Sequence, residues 1–225
     1  MTNDLNAHRP AARLFGIFFI LAFASYGAGS EFVASVTRNP LGLEGVAGRK
    51  TSLLIGVLLM AVVHSIVNIG LSVLAFPVLS TVNGYVARGY LAAGITATTT
   101  AIVGALFVAL LAPLGDAFVA GESGGHFEAI AMLLERGGFF GYQISMTLWG
   151  VGGLILCSAL FIGRLVPRAL TVWGFVGYIV FMVGTIAEML GYGIGVMLAL
   201  PGGLFELSLS FWLIFKGFNL PKTVL

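Results

Sequence analysis

Three polar side chains interrupt the apolar run TSLLIGVLLMAVVHSIVNIGLSVLAF. His64, Asn68 and Ser72 stand four residues apart, so on a helix they form one stripe. An imidazole, a carboxamide and a hydroxyl in a row can bind a hydrogen-bonding ligand, pass a proton or pin a neighbouring helix. A carboxyl group, Glu206, stands inside a second apolar run, PGGLFELSLSFWLIF. Acid and imidazole are also the pair that general acid–base chemistry uses, provided they come within hydrogen-bond reach. Which of these roles applies depends first on the solvent around the groups.

Composition settles that solvent. The chain is 59% hydrophobic and 9% charged, with a mean hydropathy of +1.05. Soluble domains carry about 25% charged residues, so this inventory cannot build a water-facing surface, and the chain belongs in a bilayer. A formal net charge of +2 gives no reason to expect nucleic acid or an acidic partner. The single cysteine, Cys157, excludes an internal disulfide and a cysteine-based metal cluster. The 32 glycines are about twice the usual share, and small residues let membrane helices approach closely.

A hydrocarbon core of about 30 Å needs roughly 20 apolar residues in helix. Six runs qualify, at 14–36, 52–79, 90–111, 139–163, 169–190 and 198–215. The first could be a signal segment, with Ala22-Phe23-Ala24 as its cleavage site. Its apolar character continues to Val36, so it reads as a retained first helix. Pro77 is placed to kink the second run. GYGIG before the sixth reads as a flexible turn rather than a channel filter. Short breaks such as STVNGYVARG and RLVPR imply sequential antiparallel neighbours. The stretch 113–138 is longer. Within it Phe127, Ile130, Ala131 and Leu134 recur at helical spacing behind a capping Ser123, which predicts a short interfacial helix. The expected fold is all-α: a polytopic integral membrane bundle of six transmembrane helices, one domain over 1–225, with that interfacial helix in the third loop. No internal repeat suggests the inverted halves of a transporter. With the amino terminus inside, Arg9, Arg13, Arg88, Arg164, Arg168, Lys216 and Lys222 fall on the inner side. Arg38, Arg49, Lys50 and Arg136 fall outside. That balance places both termini in the cytoplasm.

Depth then sorts the polar groups. His64, Asn68, Glu206, Tyr26 and Thr99 lie near the middles of their runs. Each must turn away from lipid, because an unsatisfied polar group there costs several kcal/mol. They are the pocket candidates. Glu31, Gln143 and Glu188 form a second polar layer at outer ends, and Arg88 lies at an inner end. A mid-membrane carboxyl is by default a functional group; the alternative is a neutral Glu206 making one structural hydrogen bond. His64 can equally bond a neighbouring helix on each side of its ring. Arg88 can snorkel to the headgroups, and Glu31 and Glu188 can sit in water at the outer surface. His126 falls in the outer loop, and the threonine tract 98–100 can bond back within its own helix. No HExxH, Walker loop, GxSxG or Cys/His cluster is present. His8, His64 and His126 fall at unlike depths, which disfavours a haem. No metal site and no cofactor are expected.

Three segments carry a resemblance. NGYVARGYLAA opens the third helix with an arginine, and VPRALTVWGFVGY leads into the fifth. PGGLFELSLSFWLIFKGF closes the chain with a Pro, a Glu five residues on and a Trp-Leu helix ending in Lys-Gly-Phe. Together they resemble the bacterial DUF4386 family of six-span membrane proteins, for which no function is established. The resemblance covers nearly the whole chain. It implies the six-span fold and marks Arg88 and Glu206 as family-pattern positions. It implies no activity.

The leading expectation is a non-enzymatic protein of the bacterial inner membrane. It has a buried polar pocket at mid-bilayer depth that binds or moves a small amphipathic molecule, a lipid or a proton. The pocket is expected between the second and sixth helices, with His64 and Glu206 as its polar groups. One alternative is a structural or assembly subunit, packing the glycine faces Gly150, Gly152, Gly153, Gly174, Gly177 and Gly184 against a second copy or a membrane-complex partner. The other is an intramembrane enzyme acting on a lipid-like substrate. Membrane lipids are partners in every case, and nucleic acid in none.

Overall fold

A backbone in hydrocarbon must bond to itself, so a chain this apolar folds as helices. The structure is a computed structural model that describes residues 3–121 and 126–219, with side chains from residue 10 onward except Val196. Ser123 and the side chains of His8, Arg9 and Lys222 lie outside the described residues. Among the described residues every regular element is helical: α1 Asn3–Thr37, α2 Gly42–Gly48, α3 Lys50–Leu58, α4 His64–Val82, α5 Gly84–Ala109, α6 Leu111–Val119, α7 Phe127–Ile162, α8 Arg168–Met189 and α9 Gly195–Phe215. One π-helical turn, Leu59–Val63, joins α3 to α4.

Six stretches are long and apolar enough to cross a membrane: Pro10–Thr37, Lys50–Val82, Gly84–Val119, Phe127–Ile162, Arg168–Met189 and Met197–Phe215. Each overlaps one of the six apolar runs of the sequence. Two local features differ from expectation. The interfacial helix expected in the third loop is not a separate element, because α7 runs unbroken from Phe127 to Ile162. The Gly137-Gly138 pair does not stop it. Those glycines and Gly141 sit against Gly104, Phe107 and Val108 of α5, so continued helix is rewarded by close packing. Pro77 and Pro201 lie inside α4 and α9 without ending them. The π turn before His64 was not legible at all. It adds one residue to the turn, which rotates everything after it by about 100° relative to an uninterrupted helix.

The chain divides into two compact units. The first comprises residues 1–22, 67–98 and 143–225. Its helical segments close a ring, and small residues mark most of the joints. Gly16 of α1 lies against Ser210 of α9, Gly70 of α4 against Phe18, and Gly94 of α5 against Ser72. Gly152 of α7 meets Ala93, Gly150 meets Met182 of α8, and Gly177 of α8 meets Gly202 of α9. Phe15, Phe19, Tyr90, Trp149, Leu156, Tyr178, Phe205 and Leu209 fill the interior. The second unit comprises residues 23–66 and 99–142. There Gly29 and Gly56 let α1 approach α3, and Gly115 of α6 rests on the backbone of α2 at Leu43 and Ala47. Val36, Val46, Leu53, Leu111 and Ala112 form its core. Arg49 donates to the Ser35 carbonyl, and Lys50 pairs with Asp116 at 2.7 Å.

Candidate functional site around the carboxyl of Glu206

Glu206 lies on α9 and is buried within the first unit. Two neutral donors from two other helices converge on one of its oxygens. The Trp149 indole N–H of α7 donates to Oε1 at 2.9 Å, and the Tyr178 hydroxyl of α8 donates to the same atom at 2.7 Å. Among the described residues no donor reaches Oε2, and no Lys or Arg forms an ion pair with the carboxyl. The backbone carbonyl of Glu206 accepts from Ser210 at 2.7 Å.

The ring of helices holds this geometry rigidly. Phe19 meets the Trp149 ring edge-on at 6.2 Å, and Phe205 meets Tyr178 likewise at 5.7 Å. Tyr178 reaches the carboxyl because α7 carries glycine opposite it: a Cβ on Gly153 would lie 2.3 Å from the Cζ of the tyrosine ring. Gly174 performs the same service for Phe205, where a Cβ would lie 2.5 Å from the ring. Tyr90 of α5 and Cys157 of α7 are within electrostatic range of Glu206. The Tyr90 hydroxyl and the Ser72 hydroxyl are buried and have no hydrogen-bond partner among the described residues. In apolar surroundings such orphaned groups are costly.

The sequence-predicted residues fall as follows. His64 and Asn68 are buried, as is Ser72, so the whole stripe turns inward. His64 belongs to the second unit, where Tyr26 meets its ring edge-on at 5.1 Å and stacks on Tyr142 at 5.1 Å. Tyr26 is half-buried. Thr99 is a correction: it is exposed, and Thr98 is the buried member of the pair. Adjacent helical residues point about 100° apart, so Thr98 turns inward beside Ala97 while Thr99 turns out. The second layer is not one cluster. Glu31 is exposed and Gln143 is buried. Glu188 accepts from the Gly195 N–H at 2.6 Å. A carboxylate there satisfies the first turn of α9 and complements its dipole, which gives Glu188 a structural task. Arg88 is exposed and lies over the Tyr85 ring at 4.9 Å. Among the described residues no three His, Cys, Asp or Glu side chains gather as a metal site.

Sequence reasoning missed Trp149, Tyr178 and Tyr90. The signal was present. Trp and Tyr usually place their polar ends at the membrane surface, whereas Trp149 and Tyr178 stand near the middles of their runs. A polar aromatic at that depth needs a buried partner.

A family model described as "Domain of unknown function (DUF4386)" matches residues 14–217. The chain belongs to this family. The match spans both units, every helix from α1 to α9 and the whole Glu206 site of the DUF4386 protein. No curated protein and no solved structure matches it. The glycines that could have faced a partner are used internally instead: Gly153 by Tyr178, Gly174 by Phe205, Gly184 by Leu198. An assembly role for this DUF4386 protein therefore loses the observation that suggested it.

Proposed function

We propose that this DUF4386 protein binds or moves a small amphipathic molecule, a lipid or a proton at Glu206, without chemistry on it. It would do so in the bacterial inner membrane, with both termini cytoplasmic. One observation carries the reading: both donors fall on Oε1, and Oε2 takes none from the described residues. A carboxyl group kept only for helix packing needs its donors and nothing more. Here one oxygen is fixed in place and the other is left to accept from a ligand or to carry a proton. A carboxyl in a span is expensive to retain, and among the described residues no Lys or Arg pairs with it. Tyr90, with its unpartnered hydroxyl, supplies a second polar contact from α5.

A hydrophobic carbodiimide, which couples to carboxyl groups in apolar surroundings, tests whether Glu206 is reachable. Peptide mapping after treatment of the detergent-solubilised protein is expected to find the adduct on Glu206. The adduct is expected to be missing from that peptide in Glu206→Gln. Labelling of Glu31, Glu128 and Glu135 with Glu206 untouched would contradict the proposal.

A further inference from the structure

Charge is distributed unevenly in the first unit. Arg13, Arg88, Arg164, Arg168 and Lys216 are all exposed there. They meet at one end of the ring of helices. Arg13 Nε donates to the Ile214 carbonyl at 3.2 Å, which joins the start of α1 to the end of α9, beside Lys216. The Asn219 N–H donates to the Leu165 carbonyl at 2.8 Å, which ties the chain after α9 to the turn holding Arg164 and leading to Arg168. Gly163 packs on Val82, so the end of α4 and the start of α5, with Arg88, complete the same end. The described carboxyl groups of this unit lie elsewhere. Glu188 caps α9 from the far end of α8, and Glu206 is buried. None of the five cations forms an ion pair among the described residues.

Several of these side chains are held in place. Arg168 lies over the Phe161 ring at 5.4 Å and Arg88 over Tyr85 at 4.9 Å, which orients each guanidinium without neutralising it. Arg13 spends one N–H on a carbonyl and keeps four donors. Arg164 stands at φ 51°, the left-handed position after α7 where glycine costs less. A cation occupies the place that backbone energetics would give to glycine.

We propose that this end is a seat for the phosphate groups of anionic phospholipids, held by Arg13, Arg88, Arg164, Arg168 and Lys216. A cation beside an anionic bilayer surface favours binding by about fivefold per charge. Five exposed charges, with no competing carboxylate among the described side chains of this end, give a preference well beyond that of an average membrane surface. The occupant is lipid rather than free phosphate, because the cations cap spans whose outer surfaces are apolar, where a headgroup and its chains are both accommodated.

The test equilibrates the purified protein with mixed micelles of equal phosphatidylglycerol and phosphatidylcholine, and counts retained lipids by native mass spectrometry. Wild type is expected to retain phosphatidylglycerol preferentially. Arg164→Gln/Arg168→Gln/Lys216→Gln is expected to lower that preference at least about fivefold. The charge-conserving Arg164→Lys/Arg168→Lys/Lys216→Arg should keep most of it, and this guards against a trivial folding defect. Unchanged preference in the Gln variant would overturn the proposal. So would an equal loss on neutralising Arg38 and Arg136 of the other unit. Displacement of phosphatidylglycerol by inorganic phosphate, beyond that by chloride at equal ionic strength, would overturn the lipid assignment.

Discussion

Gly153→Ala is expected to destabilise the protein by about 2–6 kcal/mol, a large effect for one methyl group. The added Cβ would lie 2.3 Å from the ring of Tyr178, which is fully buried. Overpacking of this kind costs about 1–3 kcal/mol. Displacing the ring also breaks the 2.7 Å bond to Glu206, and a buried acceptor left without its donor costs about 1–3 kcal/mol more. The two losses share one cause, so they should not add independently of the ring. In a Tyr178→Ala background the same Gly153→Ala change is expected to cost under about 1 kcal/mol, since the clash has been removed. Detergent-based unfolding of the four proteins measures the cycle. Equal cost in both backgrounds would show that Gly153 acts through something other than Tyr178.

Trp149→Ala should be as severe, at about 3–5 kcal/mol. Trp149 is buried, packs on Phe19 and donates to Glu206. Truncation therefore opens a cavity and removes one of the two donors. Trp149→Phe separates these effects. It keeps a six-membered ring in the site and loses the N–H with a small part of the buried volume, so its expected cost is about 1–3 kcal/mol. The donor should matter only while the acceptor is present. In a Glu206→Leu background, Trp149→Phe is expected to keep only the smaller cost of the lost volume, about 1 kcal/mol. A full-sized penalty there would show that the indole N–H serves another partner.

The six spans were legible because hydrocarbon imposes a simple length and polarity rule, and each run met it. Helix ends within apolar sequence were less legible. Nothing in EAIAMLLERGGFFGY marks whether a helix starts before or after the Gly137-Gly138 pair. The answer lies in how closely α5 approaches those glycines. Glu206 was legible from depth alone. Its partners were not, because depth carries no azimuth: Trp149 and Tyr178 face the carboxyl, whereas Thr99, at a suitable level in its own run, is exposed. His64 faces Tyr26, and the π turn that sets its direction has no sequence signature. The glycines invited a reading as partner surface. Their actual use, as room for Tyr178 and Phe205, depends on which large side chains lie opposite them.

The central claim is that Glu206 holds something. Native mass spectrometry of the protein released from mild detergent, wild type beside Glu206→Gln, tests it most directly. The account predicts a discrete adduct on the wild type that is lost or strongly reduced in the variant, with the adduct mass naming the ligand. Bare wild type and variant of identical behaviour, both folded, would contradict it and leave the Trp149–Glu206–Tyr178 cluster as a joint between helices.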